Sequence, residues 1–335
     1  MHVISARNVH EAIPEGCYQM SIRGLERNSR NGKVKVLPVP LTTVYREPIE
    51  RVEFHPDRDS NPFFHLMECL WMLDGRNDVA FVDQFSSGIS RYSDDGVTIN
   101  GAYGHRWRTW FGLDQLEAIV EALQTNPDCR RQVLGMWDAG SDLGNRSKDV
   151  PCNTTAFLQI GVSGALDLMV CNRSNDLIWG AYGANAVHFS ALLEYVAARL
   201  EVPIGRYYQT SMNTHVYERH FDLVEELAQQ APMPPAEMPW SPYRMGVQPT
   251  PLMDPDMGAW HHDLAAFMSR DHFNFETPVF RMLDIVREAY LIFKDKTNPG
   301  RHIDALDEIH RLPDNSDWRQ ACEAWLLRRL ARSLP

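Results

Sequence analysis

Prolines at positions 232, 234, 235, 239, 242, 249, 251 and 255 stand so close together that no regular helix or strand can pass through Gln229–Pro255. Each removes a backbone N–H and crowds the preceding turn, so the stretch reads as an extended connection. It divides the 335-residue chain into a domain over 1–230, a proline-rich connection over 231–255 and a segment over 256–335. In that last segment Trp260–Met268, Val279–Lys294 and Trp318–Leu334 carry apolar residues at helical spacing, which predicts a helical C-terminal extension. The first domain is mixed. Pro62–Leu73 (PFFHLMECLWML) predicts a helix apolar nearly all round, which puts Glu68 in an expensive place. Gln132–Trp137 predicts a strand. Thr155–Val162 and Ala165–Arg173 predict two more, joined by Ser163-Gly164 as a two-residue hairpin. Asn185–Leu200 predicts an amphipathic helix ahead of Pro203. There is no GxGxxG and no P-loop, so the order of elements predicts an α+β fold with a large sheet.

Composition narrows the function. Acidic residues outnumber basic ones by 44 to 33, a formal charge of −11, which argues against nucleic-acid polymers and anionic membranes as partners. No apolar run approaches the ~20 residues of a membrane span, and Met1–Met20 carries His10, Glu11 and Glu15 instead of a basic-then-apolar leader. Cys17, Cys69, Cys129, Cys152, Cys171 and Cys322 include no CxxC pair, so neither a disulfide framework nor a metal site is expected. The expectation is a cytoplasmic protein in a reducing compartment.

Several residues carry chemistry. Cys152 follows Pro151 at a loop-to-strand junction, where a thiol is accessible, unlike Cys69 in its apolar helix. Arg130-Arg131 opens one strand and Arg173-Ser174 closes another, with Arg30 in the turn Ser29-Arg-Asn-Gly-Lys33. Converging guanidinium groups suit a phosphate dianion, each charge-assisted bond contributing about 1.5–3 kcal/mol, and they lower a neighbouring thiol's pKa. In an extended His215-Val216-Tyr217 the imidazole and phenol share a face and suit sugar hydroxyls. Each also has a plainer reading: a filler cysteine, solvated strand-end arginines, a half-buried polar edge. His188 reads as a structural residue of its helix, and Trp107, Trp110 and Trp137 as core or cleft wall.

Taken in order, Arg130-Arg131, Pro151-Cys152, Arg173-Ser174-Asn175-Asp176 with Gly180, and His215-Val-Tyr217 resemble the thymidylate synthase superfamily. Glu68 in Glu-Cys-Leu-Trp and Tyr103 in Ala-Tyr-Gly-His-Arg-Trp match two further positions upstream. The resemblance spans Arg30 to Leu223 and implies a thymidylate-synthase-like fold, a large mixed sheet flanked by helices. It also implies roles. Cys152 would add to C6 of a pyrimidine nucleoside monophosphate, Glu68 would organise water and proton transfer at the base, and Tyr103 would assist removal of the C5 proton. Arg30, Arg173, Ser174 and the Arg130-Arg131 pair would hold the phosphate, the pair coming from a second copy in a homodimer. Asn185 would read the base, His215 and Tyr217 the sugar, and Asp176 would contact folate. The one-carbon donor implied is 5,10-methylenetetrahydrofolate.

Departures from that pattern refine the reaction. Between Trp71 and Trp107 there is no tryptophan; Ile89 and Tyr92 occupy the spacing. Asn153 stands where a histidine commonly follows the nucleophile, and no short apolar closing tail is evident. A wetter site favours water over hydride as the trap for an exocyclic methylene, so the expected product is a 5-hydroxymethyl pyrimidine, with thymidylate synthesis as the alternative. The motifs look closer to the deoxycytidylate hydroxymethylase branch. For the base the reading stays open among dCMP, CMP and dUMP. Eleven residues after Arg173 lies Ala184, so Asn185 becomes the reader only with a one-residue adjustment near Gly183, and an amide able to flip serves uracil or cytosine. Two other classes compete: a cysteine hydrolase using His188 or His215, and a non-catalytic nucleotide or RNA binder.

Overall fold

The computed structural model describes residues 1–86, 88–231, 241–269 and 274–333. The prolines at 232, 234, 235 and 239, with Leu334, lie outside the described residues. The strands are β1 (His2–Ala6), β2 (Leu25–Ser29), β3 (Gly32–Val36), β4 (Leu41–Tyr45), β5 (Val133–Gly135), β6 (Asn153–Ile160), β7 (Leu166–Asn172), β8 (Asn175–Asp176), β9 (Ile204–Ser211) and β10 (Thr214–Tyr217). Six of them form a mixed sheet in the order β1-β4-β9-β7-β6-β5, with β1–β4 and β7–β9 parallel. A smaller sheet runs β2-β3-β10-β8. The strands expected over 132–137, 155–162 and 165–173 are β5, β6 and β7. The hairpin turn is longer than the two residues expected: Gly164 N donates to Gly161 O and Gly161 N to Ala165 O, so the ladder stops at the Ile160–Leu166 pair.

The helix Pro62–Leu73 runs through the centre. Asn61 caps it, its Oδ1 accepting from Phe64 N (3.2 Å), and Pro62 occupies the first turn, where its missing N–H costs nothing. Every residue of this helix is buried except Glu68. One side packs on the helix Asn185–Leu200, the other on the C-terminal helices Met257–Ser269, Pro278–Lys294 and Asp317–Ser333. Phe63, for example, lies 5.1 Å from the Tyr290 ring and 5.4 Å from that of Trp325.

The segment after the prolines is pinned to this core. Pro242–Met245 makes one 3-10 turn, which proline permits at a first helical position. Tyr243 Oη donates to Asp317 (3.0 Å) and accepts from Val52 N (3.1 Å). Glu194, ion-paired with the buried Arg51, also accepts from Leu252 N (2.8 Å) and Met253 N (3.2 Å). Among the described residues no helix is long and apolar enough to cross a membrane.

Candidate active site

Cys152 ends the loop before β6. Tyr103, at the start of the helix Tyr103–Arg108, reaches its backbone: the phenol oxygen accepts from Cys152 N and Asn153 N, both at 3.2 Å. With both bonds accepted, the phenol's own proton is left to donate. Gly104 lets this helix lie directly on the Glu68 helix, because a Cβ there would stand 2.0 Å from Met72 O. Arg173 braces the loop from the far strand, Nε donating to Pro151 O and Nη2 to Val150 O (2.8 Å each), with its guanidinium 5.7 Å from the Trp137 ring. The expectation of a lowered thiol pKa is not met. Burial pushes Cys152 up, and Arg173 only partly opposes it because Asp149 and Asp176 add negative charge.

Glu68 projects toward the same region. Burial, with the charge of Asp149, pushes its carboxyl up to about 8. Asp149 itself accepts from Gly101 N (2.8 Å). Glu68 Oε2 lies 3.2 Å from Nε2 of His188, a buried residue that sequence patterning assigned to packing.

A chain of buried amides runs behind Cys152. Asn153 faces Asn172 across β6–β7, and Asn172 faces Ser211 across β7–β9, so register alone aligns three polar side chains. Gln209 Nε2 donates to Ala181 O (2.8 Å), a backbone carbonyl that can only accept. Gln209 Oε1 must then accept from Asn175 Nδ2 (3.2 Å), Asn175 Oδ1 from Asn185 Nδ2 (3.1 Å), and Asn185 Oδ1 from Asn153 Nδ2 (3.1 Å). Asn153 Oδ1 accepts from Asn172, whose own Oδ1 accepts from Ser211 Oγ (3.1 Å). The amide of Asn185 is therefore not free to flip. Gly180 leaves the room: a Cβ there would meet Asn175 Oδ1 at 2.3 Å. Leu177–Ala184 is a π-helical segment with irregular backbone at Tyr182 and Gly183. A π turn holds one more residue than an α turn, and this is where the spacing of Asn185 from Arg173 requires one.

Asp176 caps that segment, Oδ1 accepting from Ile178 N and Trp179 N (2.8 Å each), while Oδ2 is buried with no hydrogen-bond partner. Beside it Trp179 is 50% exposed. His215 pairs with Asp176 in the β10–β8 register, and its ring lies edge-on to Tyr217 at 5.2 Å. Ser174 sits half-buried between Arg173 and β8. Arg30 is exposed at the tip of the β2–β3 hairpin, whose β3 arm pairs Val34 with Tyr217. Arg130 and Arg131 are not brought to Cys152 within one chain. Val133 pairs with Phe157 and Leu158 N donates to Gln132 O, which sets the arginine pair near the Ile160 end of β6. Cys152 lies about 20 Å away at ~3.3 Å per residue.

Sequence reasoning passed over Asp149, Asn172, Gln209 and Trp179, took His188 as structural or as the base of a hydrolase, and gave Asn175 no role beyond its place in a motif. Their sequence signals are ordinary; only packing and register bring them together. Among the described residues His10, Glu53 and His55 form one cluster with metal-ligand chemistry. There Glu53 already accepts from His55 Nδ1 (2.8 Å), His55 N and Ser60 Oγ (2.5 Å), while the two imidazoles stack at 4.0 Å.

A thiol, a phenol with its proton left to donate, a carboxyl raised toward neutrality and an amide of fixed polarity thus stand together around the start of β6. A family model described as thymidylate synthase matches residues 60–248. A deoxyuridylate hydroxymethyltransferase of Pseudomonas phage M6 is 51% identical over 99% of this chain and 95% of its own length. Proteins of the same name from Bacillus phage SP01 (40% identical over 53% of this chain and 49% of its own) and Delftia phage PhiW-14 (27% over 68% and 65%) are also similar. The chain belongs to the thymidylate synthase family and is a folate-dependent one-carbon transferase.

Proposed function

We propose that this enzyme hydroxymethylates C5 of deoxyuridylate, with 5,10-methylenetetrahydrofolate as one-carbon donor and water as the final nucleophile. The fixed polarity of Asn185 carries the choice of base. Its Oδ1 keeps a lone pair for the N3–H of uracil and its Nδ2 keeps a proton for O4, a pattern that cytosine, with an acceptor at N3 and an amine at C4, does not complement. The names of the relatives point the same way, toward deoxyuridylate and away from the deoxycytidylate branch that the motifs resemble.

Cys152 Sγ adds to C6, and the electron pair moves through C5 to O4, where Asn185 stabilises it. C5 then bonds to the donor's one-carbon unit, the C5 proton passes to a water that the free O–H of Tyr103 orients, and the bond from that carbon to the folate nitrogen breaks, leaving an exocyclic methylene on C5 and tetrahydrofolate as the leaving group. The folate donor supplies carbon at the oxidation level of formaldehyde. Asp176, with its unpartnered Oδ2, and the exposed face of Trp179 suit a flat heterocycle with hydrogen-bond donors. Water then adds through oxygen to the exocyclic methylene carbon and gives its proton to the Glu68 site. The π pair moves to O4, and collapse of that enolate expels the Cys152 thiolate and restores the C5–C6 double bond. His215 and Tyr217 hold the sugar, and Arg30, Arg173 and Ser174 the phosphate.

Arg130 and Arg131 complete the phosphate cradle of a second copy. Their distance from Cys152 in one chain supports this, as does the open face of the large sheet. There Val133, Phe157 and Met169 stand in register across three strands, 50%, 44% and 38% exposed. Such a row is ready to be covered by a homodimer partner.

The test is product identity. Incubated with methylenetetrahydrofolate and dUMP, the enzyme is expected to give a 5-hydroxymethyl product by mass and tetrahydrofolate by absorbance, with dCMP a poor substrate and Cys152→Ala inactive but still binding nucleotide. A methylated base with dihydrofolate would establish the synthase reaction instead.

A further inference from the structure

The contact between Glu68 and His188 requires a proton. His188 is buried on the helix Asn185–Leu200, and its ring donates to the backbone carbonyl of His65. Its Nε2 makes no hydrogen bond in the structure, to Glu68 or to any other group, so the donated proton is placed on Nδ1 and Nε2 keeps an unused lone pair. Glu68 Oε2 lies 3.2 Å from it, off the axis of a straight hydrogen bond. An ionised carboxylate offers Nε2 only another lone pair, and both groups would be buried, close and unsatisfied. One proton between them, with a small turn of the ring or the carboxyl to bring the two atoms into line, satisfies both.

We propose that His188 is the proton partner of Glu68: a single proton is held between Oε2 and Nε2, and this pair, not the carboxyl alone, is the acid–base unit of the site. With the proton on Oε2 the pair is an acid toward the base. With it on Nε2, Glu68 is a carboxylate that takes the proton of the attacking water. His188 touches no reacting atom in this scheme and is a positioning residue that acts through Glu68.

The surroundings favour sharing over full transfer. Burial pushes His188 down to about 3, and burial with Asp149 pushes Glu68 up to about 8, so the neutral pair prevails at rest. The other titratable groups facing the pair are His65, whose ring lies 6.3 Å from that of His188 and which burial, with Arg58, keeps neutral, and Cys69, held as a thiol by burial. Neither supplies an opposite charge that would draw the proton away.

The kinetic role rests on the proposed reaction; the shared proton does not. Infrared spectra of the substrate-free wild type are expected to show a protonated, hydrogen-bonded carboxylic acid band near neutrality. It should vanish in Glu68→Gln and move to the frequency of a non-bonded acid in His188→Met. Nitrogen-15 spectra of wild-type histidines, which need no variant, should find His188 protonated at Nδ1 and hydrogen-bonded at Nε2. In turnover, His188→Met and His188→Gln should both lower kcat on the order of 10²-fold, leave KM for the nucleotide within about twofold and displace the pH profile by about one unit or more. A wild type without the acid band, or a His188→Gln enzyme with the wild-type pH profile, would overturn the proposal. Absence of hydroxymethyl product from the wild type would overturn the reaction and leave the spectroscopic result standing.

Discussion

Glu68 shows how one residue in an apolar helix records function. Eleven of its helix neighbours are buried, and a carboxyl among them either ionises at great cost or keeps its proton. It keeps it, rising from the usual 4.5 to about 8. The consequence for stability has a definite sign. Below about pH 4.5 folded and unfolded chains are alike protonated at this position. Between about 4.5 and 8 the unfolded chain gives up a proton that the folded one retains, so wild-type stability is lost as pH rises through that window. Glu68→Gln removes the titration while its amide can still donate to His188. Its melting temperature relative to wild type is therefore expected to rise between pH 5 and pH 9, by about 2–4 °C; a difference independent of pH, read by scanning calorimetry, would refute this. The glutamate's position was legible from its neighbours, whereas its partner was not. Nothing in the spacing of Glu68 and His188 says that the two helices carrying them pack face to face.

At the scale of elements, the arrangement that matters is the amide chain anchored on Ala181 O. It draws on β6, β7, β8, β9, the π-helical segment Leu177–Ala184 and the helix Asn185–Leu200, so its order exists only once six segments are in register. Asn185, the proposed base reader, was legible only as a near miss, one residue out of step, because an extra residue in a π turn leaves no mark in a hydrophobic pattern. The anchor gives a sharp expectation. Gln209→Met removes the donor to Ala181 and leaves Asn175 Nδ2 only Ser211 Oγ (3.1 Å), a hydroxyl that can donate as well as accept, so Asn175, and through it Asn185, gains the alternative orientation. Discrimination of dUMP against dCMP, measured as the ratio of kcat/KM values, should fall about tenfold, or ~1.4 kcal/mol. An unchanged ratio would show that Asn185 keeps its orientation without the chain behind it.

At the scale of the molecule, the proline-rich stretch separates the chain in sequence more than in space. The helices beyond it pack on Pro62–Leu73, and Glu194 and Asp317 tie the chain after it to residues before it. The large sheet instead leaves a face open, with Arg130 and Arg131 at its edge. If that face is a dimer interface, Phe157→Glu should sediment as a monomer and lose turnover. Mixing Arg131→Ala with Cys152→Ala subunits should restore activity to neither homodimer but to one of the two sites of each mixed dimer. Mixed samples as inactive as their parents would place the arginine pair outside the partner's site.

By itself the sequence determined what depends on neighbours along the chain. The central helix, the β6–β7 pair, the helix beginning at Asn185, the C-terminal helices and the place of Cys152 at the junction ahead of its strand all follow from periodicity, caps and breakers within a few residues. The tertiary structure alone decided what depends on neighbours across it. Strand register set the amide chain, helix packing set a histidine lone pair against a glutamate, and the antiparallel run of β5 carried two arginines away from the thiol they were expected to activate. Hydrogen-bond polarity and proton sharing are properties of pairs at about 3 Å, and no local pattern names the partner that folding brings within that distance.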